Sequence, residues 1–105
     1  MKANTKLLTV IILFTMSVAP SSHAQMGGDL FKAKCTACHG VDGKGQTPIG
    51  KGLHARDLSS ADVQKQADTD LSYVISKGKN KMPAFTGLSG DQITSLVKYI
   101  RALKK

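Results

Sequence analysis

The run Cys35-Thr36-Ala37-Cys38-His39 constrains this chain more than any other part of its sequence. Two thiols separated by two residues can add to the two vinyl groups of one porphyrin, and the next residue can offer its imidazole to the iron. We therefore predict one haem c, attached covalently through Cys35 and Cys38, with His39 as an iron ligand. The same spacing occurs in redox-active dithiols, in half of a zinc site and in local disulfides, so these alternatives stay open.

The first 24 residues have the pattern of a secretory signal peptide. Two lysines precede an apolar core over residues 7–14, and a small-x-small cleavage site ends at Ala24. This core is much shorter than the roughly 20 apolar residues that span a bilayer. We predict a cleaved signal peptide over 1–24, one domain over 25–105, export to the periplasm and no integral membrane anchor.

The predicted domain is small for a core built from side chains alone, and a large apolar cofactor would supply the missing core. The full chain has 15 basic and 7 acidic residues, a formal net charge of +8. The cluster of Lys77, Lys79 and Lys81 predicts a cationic face that steers an acidic redox partner. A solvated surface without a docking role is the alternative. Nucleic acid is not an expected partner, because basic residues are not interleaved with aromatic ones.

Hydrophobic periodicity and turn residues predict an all-α domain of three to four helices, with long loops wrapped around the haem. The expected elements are a helix over 29–38, a loop over 41–52, a short helix ending near 66, a helix over 69–77 and a last helix after residue 89. The last helix has the clearest signal. Ser89 and Gln92 form a capping-box pattern, and the apolar residues that follow lie on one face.

Met82 lies in the loop between the last two predicted helices and is followed by Pro83. A thioether is a sound axial ligand for low-spin haem iron, and the proline would stiffen the loop that carries it. We predict Met82 as the second iron ligand beside His39. A packing role for Met82, or coordination of the iron by His54 in its place, are the alternatives.

The chain resembles the class I c-type cytochromes of the short bacterial kind over residues 25–105. The resemblance rests on Cys35-x-x-Cys38-His39-Gly40, on Met82-Pro83-Ala84-Phe85 and on the amphipathic helix that follows. It implies the cytochrome c fold, with the porphyrin held by the two cysteines and the iron bound by His39 on one side and Met82 on the other.

The resemblance also assigns roles outside the ligand set. It places Gly27, Phe31 and Tyr99 where the first and last helices cross, with the glycine permitting close backbone approach. The segment 54–58 resembles the family region beside a haem propionate, which makes Arg56 a candidate propionate partner through charge-assisted hydrogen bonds. A solvated surface arginine is the alternative.

Two strong axial ligands leave no open iron position for a substrate, so we expect a one-electron carrier and not an enzyme. The iron would cycle between Fe(II) and Fe(III), and a monomeric carrier would dock transiently with a donor and an acceptor protein. The alternatives are a haem enzyme or gas sensor with an open distal position, and a cytochrome subunit of a larger dehydrogenase or oxidase.

Overall fold

The computed structural model describes residues 12–15 and 23–105, and it describes side chains at 12–15 and from Gln25 onward. Of the predicted signal peptide, residues 1–24, only 12–15 and 23–24 are therefore among the described residues. The helices in chain order are α1 (His23–Lys34), α2 (Thr36–His39), α3 (Pro48–Leu53), α4 (Ala61–Gln64), α5 (Asp68–Lys77) and α6 (Gly90–Ala102).

The described part of the chain confirms the all-α prediction. It contains no strand beyond one isolated bridge between Lys79 and Met82. None of its helices is long and apolar enough to cross a membrane. The helices number more than the three to four predicted, because α2 and α3 are only four and six residues long.

Helix α6 forms where its capping box and periodicity predict. The Ser89 side chain accepts a hydrogen bond from the Gln92 amide, and the Gln92 side chain accepts one from the Ser89 amide, so both donors at the helix start are satisfied. Its inner face is buried through Leu96, Val97 and Ile100.

Helices α1 and α6 cross at close range, as the family resemblance implies. A Cβ on Gly27 would lie only 2.2 Å from the carbonyl oxygen of Ser95, so this approach is open only to glycine. Next to it, the rings of Phe31 and Tyr99 pack with their centroids 4.8 Å apart at an interplanar angle of 36°. The three residues therefore form the crossing contact that was predicted for them.

The first predicted helix, 29–38, is wrong at both ends. Helix α1 begins earlier, at His23, and ends at Lys34; a separate turn, α2, then carries the motif residues. The break falls at Cys35, whose carbonyl accepts from the amides of Cys38 and His39 at 3.3 and 2.9 Å. The motif residues after Cys35 therefore lie on a short helix of their own that follows α1 directly.

The segment predicted as a loop over 41–52 contains helix α3. Thr47 caps it by accepting a hydrogen bond from the Gly50 amide at 2.8 Å, and Pro48 occupies the first turn, where its missing N–H costs nothing. Glycines at 50 and 52 obscured this helix in the sequence. The rest of the segment is a loop, as expected.

Arg101 joins α6 to the chain between α4 and α5. Its guanidinium donates to the carbonyls of Gln64 and Gln66 and pairs with Asp68, 2.8 Å away. The Gln64 side chain donates to the carbonyls of Leu58 and Ile100 at 2.7 and 2.9 Å. These bonds give backbone carbonyls side-chain donors and hold the α4–α5 region against the last helix.

Candidate haem-binding site

A cavity of about 90 Å³ opens among α1, α5, α6 and the segment before α4. Ligand and cofactor pockets in proteins are mostly apolar. Apolar side chains from α1, α5, α6 and the segment before α4 line this one, among them Phe31, Leu58, Leu71, Ile75, Leu96 and Ile100. Among the residues that the structure describes, six of the seven buried hydrophobic ones lie on its wall, so the core of this part of the chain is also the wall of the cavity.

Cys35 lies on this wall at the end of α1. Its amide donates to the Phe31 carbonyl at 2.9 Å, which continues the helical hydrogen-bond pattern by one residue. Burial raises the pKa of the Cys35 thiol to about 11, although the positive charge of Lys34 opposes this effect. The thiol is therefore un-ionised at neutral pH and is held against apolar surface.

Cys38 is half-buried in α2 and does not lie on the wall of the cavity. It is a free thiol, as Cys35 is. The hydroxyl of Thr47 donates to its carbonyl at 3.1 Å, which fixes the α2 turn from outside. The structure thus brings one of the two predicted attachment residues onto the cavity and leaves the other one turn away, and the role of Cys38 stays a prediction.

His39 is half-buried and reaches the cavity from α2. Its Nδ1 lies 3.0 Å from the carbonyl oxygen of Arg56. A carbonyl can only accept, so Nδ1 carries the proton and Nε2 keeps its lone pair. Burial lowers the pKa of His39, and the hydrogen bond to Arg56 opposes this only in part. Neutral imidazole with a free Nε2 is the form that binds a metal.

Met82 is half-buried on the wall of the same cavity, in the loop between α5 and α6. The amides and carbonyls of Lys79 and Met82 pair with each other at 3.1 and 2.9 Å. The amide of Phe85 then donates to the carbonyl of Ile75, at 3.0 Å, near the end of α5. Met82 is therefore fixed by backbone bonds before and after it.

Arg56 takes part in the site through its backbone as well as its side chain. Its carbonyl orients His39, while its exposed side chain lies at the cavity. The rival ligand His54 is exposed, ends α3 with a positive φ of 55°, and is not on the cavity wall. The structure therefore brings together Cys35, His39, Met82 and Arg56, and it leaves His54 outside.

Residues around α2 and α3 support the site without having been predicted for it. The Thr47 hydroxyl also donates to the Ala37 carbonyl at 2.8 Å. A Cβ on Gly50 would lie 2.0 Å from the Cys38 carbonyl, and one on Gly45 would lie 2.5 Å from the Ala55 carbonyl. In the sequence, the Thr47-Pro48 pair is typical of a helix start and could have indicated α3. No local pattern marks the close backbone approaches at Gly45 and Gly50.

The charged side chains on the described part of the cavity wall are all cationic. They are Lys34, Arg56 and Lys79, from three different elements. Gln66 is the uncharged polar residue among them. The cavity therefore combines an apolar interior with positive charge, which suits an apolar group that carries carboxylates.

Comparisons with known proteins agree with this site. Residues 22–100 match the family described as cytochrome c oxidase, cbb3-type, subunit III. Cytochrome c6 of Leptolyngbya boryana is 40% identical over 80 residues, covering 73% of this chain and 88% of that protein. Cytochrome c6 of Limnospira maxima is 37% identical over 79 residues, covering 70% and 85%. The solved KustC0563 c-type cytochrome has a TM-score of 0.68 and 34% identity, covering 75% of this chain and 98% of that chain.

The helical fold and the haem-attachment motif define a class I c-type cytochrome, and the chain belongs to that family. It is a small monohaem member with covalently bound haem c, and it functions as a one-electron carrier. The residues on the cavity fit the cofactor. An un-ionised thiol, an imidazole with a free Nε2, a thioether and cationic side chains all face one apolar cavity.

Proposed function

We propose that haem c is attached through Cys35 and Cys38 and that its iron is bound by His39 and Met82. The observation that carries this proposal is that His39 and Met82 line one apolar cavity, with the His39 Nδ1 proton already committed to the Arg56 carbonyl. When bound, haem c supplies a one-electron Fe(II)/Fe(III) couple, which methionine ligation raises in potential.

The protein's contribution to electron transfer is to hold the two ligands still and keep water away. The Arg56 carbonyl fixes the orientation and tautomer of His39. Backbone bonds at Lys79 and Phe85 restrain Met82, and Pro83 stiffens the chain beside it. Fixed ligands change geometry little between the two oxidation states, so the reorganisation that accompanies each transfer is small.

The same site argues against catalysis on a substrate. With His39 and Met82 both bound, the iron has no open position, so we propose a carrier and not an enzyme. We also assign Arg56 to a haem propionate, because its side chain is cationic and lies at the cavity. This assignment would give one carboxylate of the cofactor a charge-assisted partner.

We further propose that the mature chain, residues 25–105, is a monomeric periplasmic carrier that diffuses between a donor and an acceptor protein. The signal-peptide pattern of the first 24 residues supports export. The cationic residues Lys34, Arg56 and Lys79 at the cavity support docking to acidic faces on these partners. Such redox encounters bury small surfaces and dissociate quickly.

A second candidate is a cytochrome subunit held in a larger oxidase. It is favoured by the description of the matching family, which is that of an oxidase subunit. Fractionation of the producing cell distinguishes the two. A carrier is released with the periplasmic contents, whereas a subunit copurifies with a membrane complex.

The ligand assignment is tested by absorption spectra of the oxidised and reduced holoprotein. We expect a reduced spectrum of c type and, in the ferric protein, the near-infrared charge-transfer band of methionine-ligated iron. Met82→Ala should lose that band. Met26→Ala is the matched control, because Met26 is half-buried in α1 away from the cavity and should leave the band intact. A haem spectrum without the band in the unaltered protein would favour the open-site alternative.

A further inference from the structure

The segment that carries Met82 is closed into a two-residue turn. Lys79 and Met82 exchange both backbone hydrogen bonds, which leaves Asn80 and Lys81 as the two residues at the tip. Asn80 has a positive φ of 53°. In such turns the first tip residue adopts positive φ in types I′ and II′, and glycine or asparagine is the usual occupant.

The turn is packed directly against the end of α5. A Cβ on Gly78, which has a φ of 74°, would lie 2.6 Å from the Met82 carbonyl and 2.9 Å from the Ala84 amide. The chain leaving the turn is tied back when Phe85 donates to the Ile75 carbonyl. The backbone on both sides of the turn is thus fixed, so neighbouring residues cannot move to compensate for a change of φ at residue 80.

We propose that Asn80 is a positioning residue for Met82: its positive φ closes the turn that holds the thioether at the cavity. This inference rests on the proposed ligation of the iron by Met82. The Asn80 side chain is exposed and is not on the cavity wall, so it acts through the backbone and not by touching the cofactor. A β-branched residue at this position must open the turn, because the two heavy atoms on its Cβ crowd the backbone at positive φ, whereas the single branch of asparagine is tolerated there.

The test is competition between the Met82 thioether and imidazole for the ferric iron of the holoprotein. Titration with imidazole, followed at the near-infrared band, reports how firmly the thioether is held. We expect Asn80→Val to bind imidazole roughly tenfold more tightly than the unaltered protein, equivalent to about 1.4 kcal/mol. The Asn80→Gly protein should bind imidazole with the affinity of the unaltered protein to within about twofold, because glycine adopts positive φ freely.

His54 offers a matched control, because it is also exposed and has nearly the same φ, 55°, but lies off the cavity wall. His54→Val should lower the denaturant midpoint while leaving the imidazole affinity unchanged. If Asn80→Val fails to mature, Asn80→Ala takes its place. We expect the Asn80→Ala protein to bind imidazole more tightly than both the unaltered protein and the Asn80→Gly protein.

The outcomes separate this inference from the ligand assignment. Absence of the charge-transfer band in the unaltered protein overturns Met82 ligation, and this inference with it. If the band is present but Asn80→Val, or Asn80→Ala in its place, binds imidazole with unchanged affinity, the positioning role alone is overturned. An equal increase in affinity in His54→Val would also overturn it, since general destabilisation would then explain the effect.

Discussion

Arg56 combines two contributions that a single substitution can separate. Its carbonyl accepts from His39 Nδ1 at 3.0 Å, and any residue at this position retains that carbonyl. Its guanidinium adds a positive charge at the cavity. The backbone contribution sets the tautomer of His39, whereas the side-chain contribution would act, under the proposed ligation, on the charge around the iron.

Replacing Arg56 by alanine should therefore lower the reduction potential without changing the ligands. Loss of a nearby cation stabilises the more positive ferric state. For an exposed charge we expect about 0.5–1 kcal/mol, or on the order of 20–40 mV for one electron. Spectroelectrochemical titration measures the potential, and the near-infrared band checks that His39 and Met82 remain bound.

Arg56→Lys should keep most of the potential, because it keeps the charge. Lys51→Ala is the matched control, since Lys51 is an exposed cation in α3 that does not line the cavity. It should shift the potential much less than Arg56→Ala. Equal shifts in the two proteins would mean that Arg56 acts only as one of many surface charges and has no propionate partner.

At the scale of single residues, the sequence pointed to Cys35, Cys38, His39 and Met82 because their side chains suit haem attachment or iron coordination. The structure places Cys35, His39 and Met82 at the cavity and leaves Cys38 off its wall. The carbonyl of Arg56 and the hydroxyl of Thr47 were not predictable as supports. Their partners lie 17 and about 10 residues away, and backbone acceptors are present at every position, so no local pattern marks the ones in use.

The crossing of α1 and α6 depends on contact between backbones and not only on side-chain packing. Gly27 faces the Ser95 carbonyl, with no room for a Cβ. Its neighbour Gly28 has room, since a Cβ there would meet the Tyr99 ring at an ordinary 3.5 Å. Two adjacent glycines in one helix therefore have different physical reasons for being there.

Substitution by alanine should lower the free energy of unfolding at Gly27 but not at Gly28. Gly27→Ala must push α1 away from α6 and should destabilise the protein by at least about 2 kcal/mol. Gly28→Ala should be neutral or stabilising, by up to about 1 kcal/mol, because alanine favours the helix. Denaturant unfolding of the holoproteins, followed by circular dichroism, measures both. Equal losses in the two variants would contradict the close approach at Gly27.

At the scale of elements, helices with a long apolar face or a clear start signal could be predicted, whereas α2 and α3 could not. The start of α6 followed from Ser89 and Gln92, and its inner face from the periodic apolar residues. The short helix α4 was predicted as well, as the helix ending near residue 66. Helix α3 has six residues, two of them glycine, and too few apolar positions to show a period. Its stability comes from Thr47, which bonds to α2, so its existence depends on a tertiary contact.

The whole molecule is organised around the space for its cofactor. In the described part of the chain, six of the seven buried hydrophobic residues line the cavity, so this part has little apolar core apart from it. The shortness of the predicted domain already indicated that a cofactor must complete the core. The course of the α4–α5 region could not be predicted, because it depends on bonds from Arg101 and Gln64 to backbone carbonyls far away in sequence.

We expect the net positive charge of the chain to act on electron transfer mainly where it lies near the cavity. Lys34 lines the cavity, whereas Lys98 is exposed on α6 and does not. Replacing either by glutamine removes the same unit of net charge. The two variants therefore separate the effect of the protein's overall charge from the effect of a charge placed at the cavity.

Oxidation of the reduced holoprotein by ferricyanide, a small anion, should depend on Lys34 more than on Lys98. At low ionic strength we expect Lys34→Gln to slow the bimolecular rate by about two- to fivefold, from the lost attraction to a multiply charged anion. Lys98→Gln should change it less. Stopped-flow measurements over a range of salt should bring all three proteins together, since salt screens exposed charges over about 10 Å at 0.1 M. Equal slowing in both variants would show that net charge alone steers the oxidant, and the cations at the cavity would then have no special part in docking.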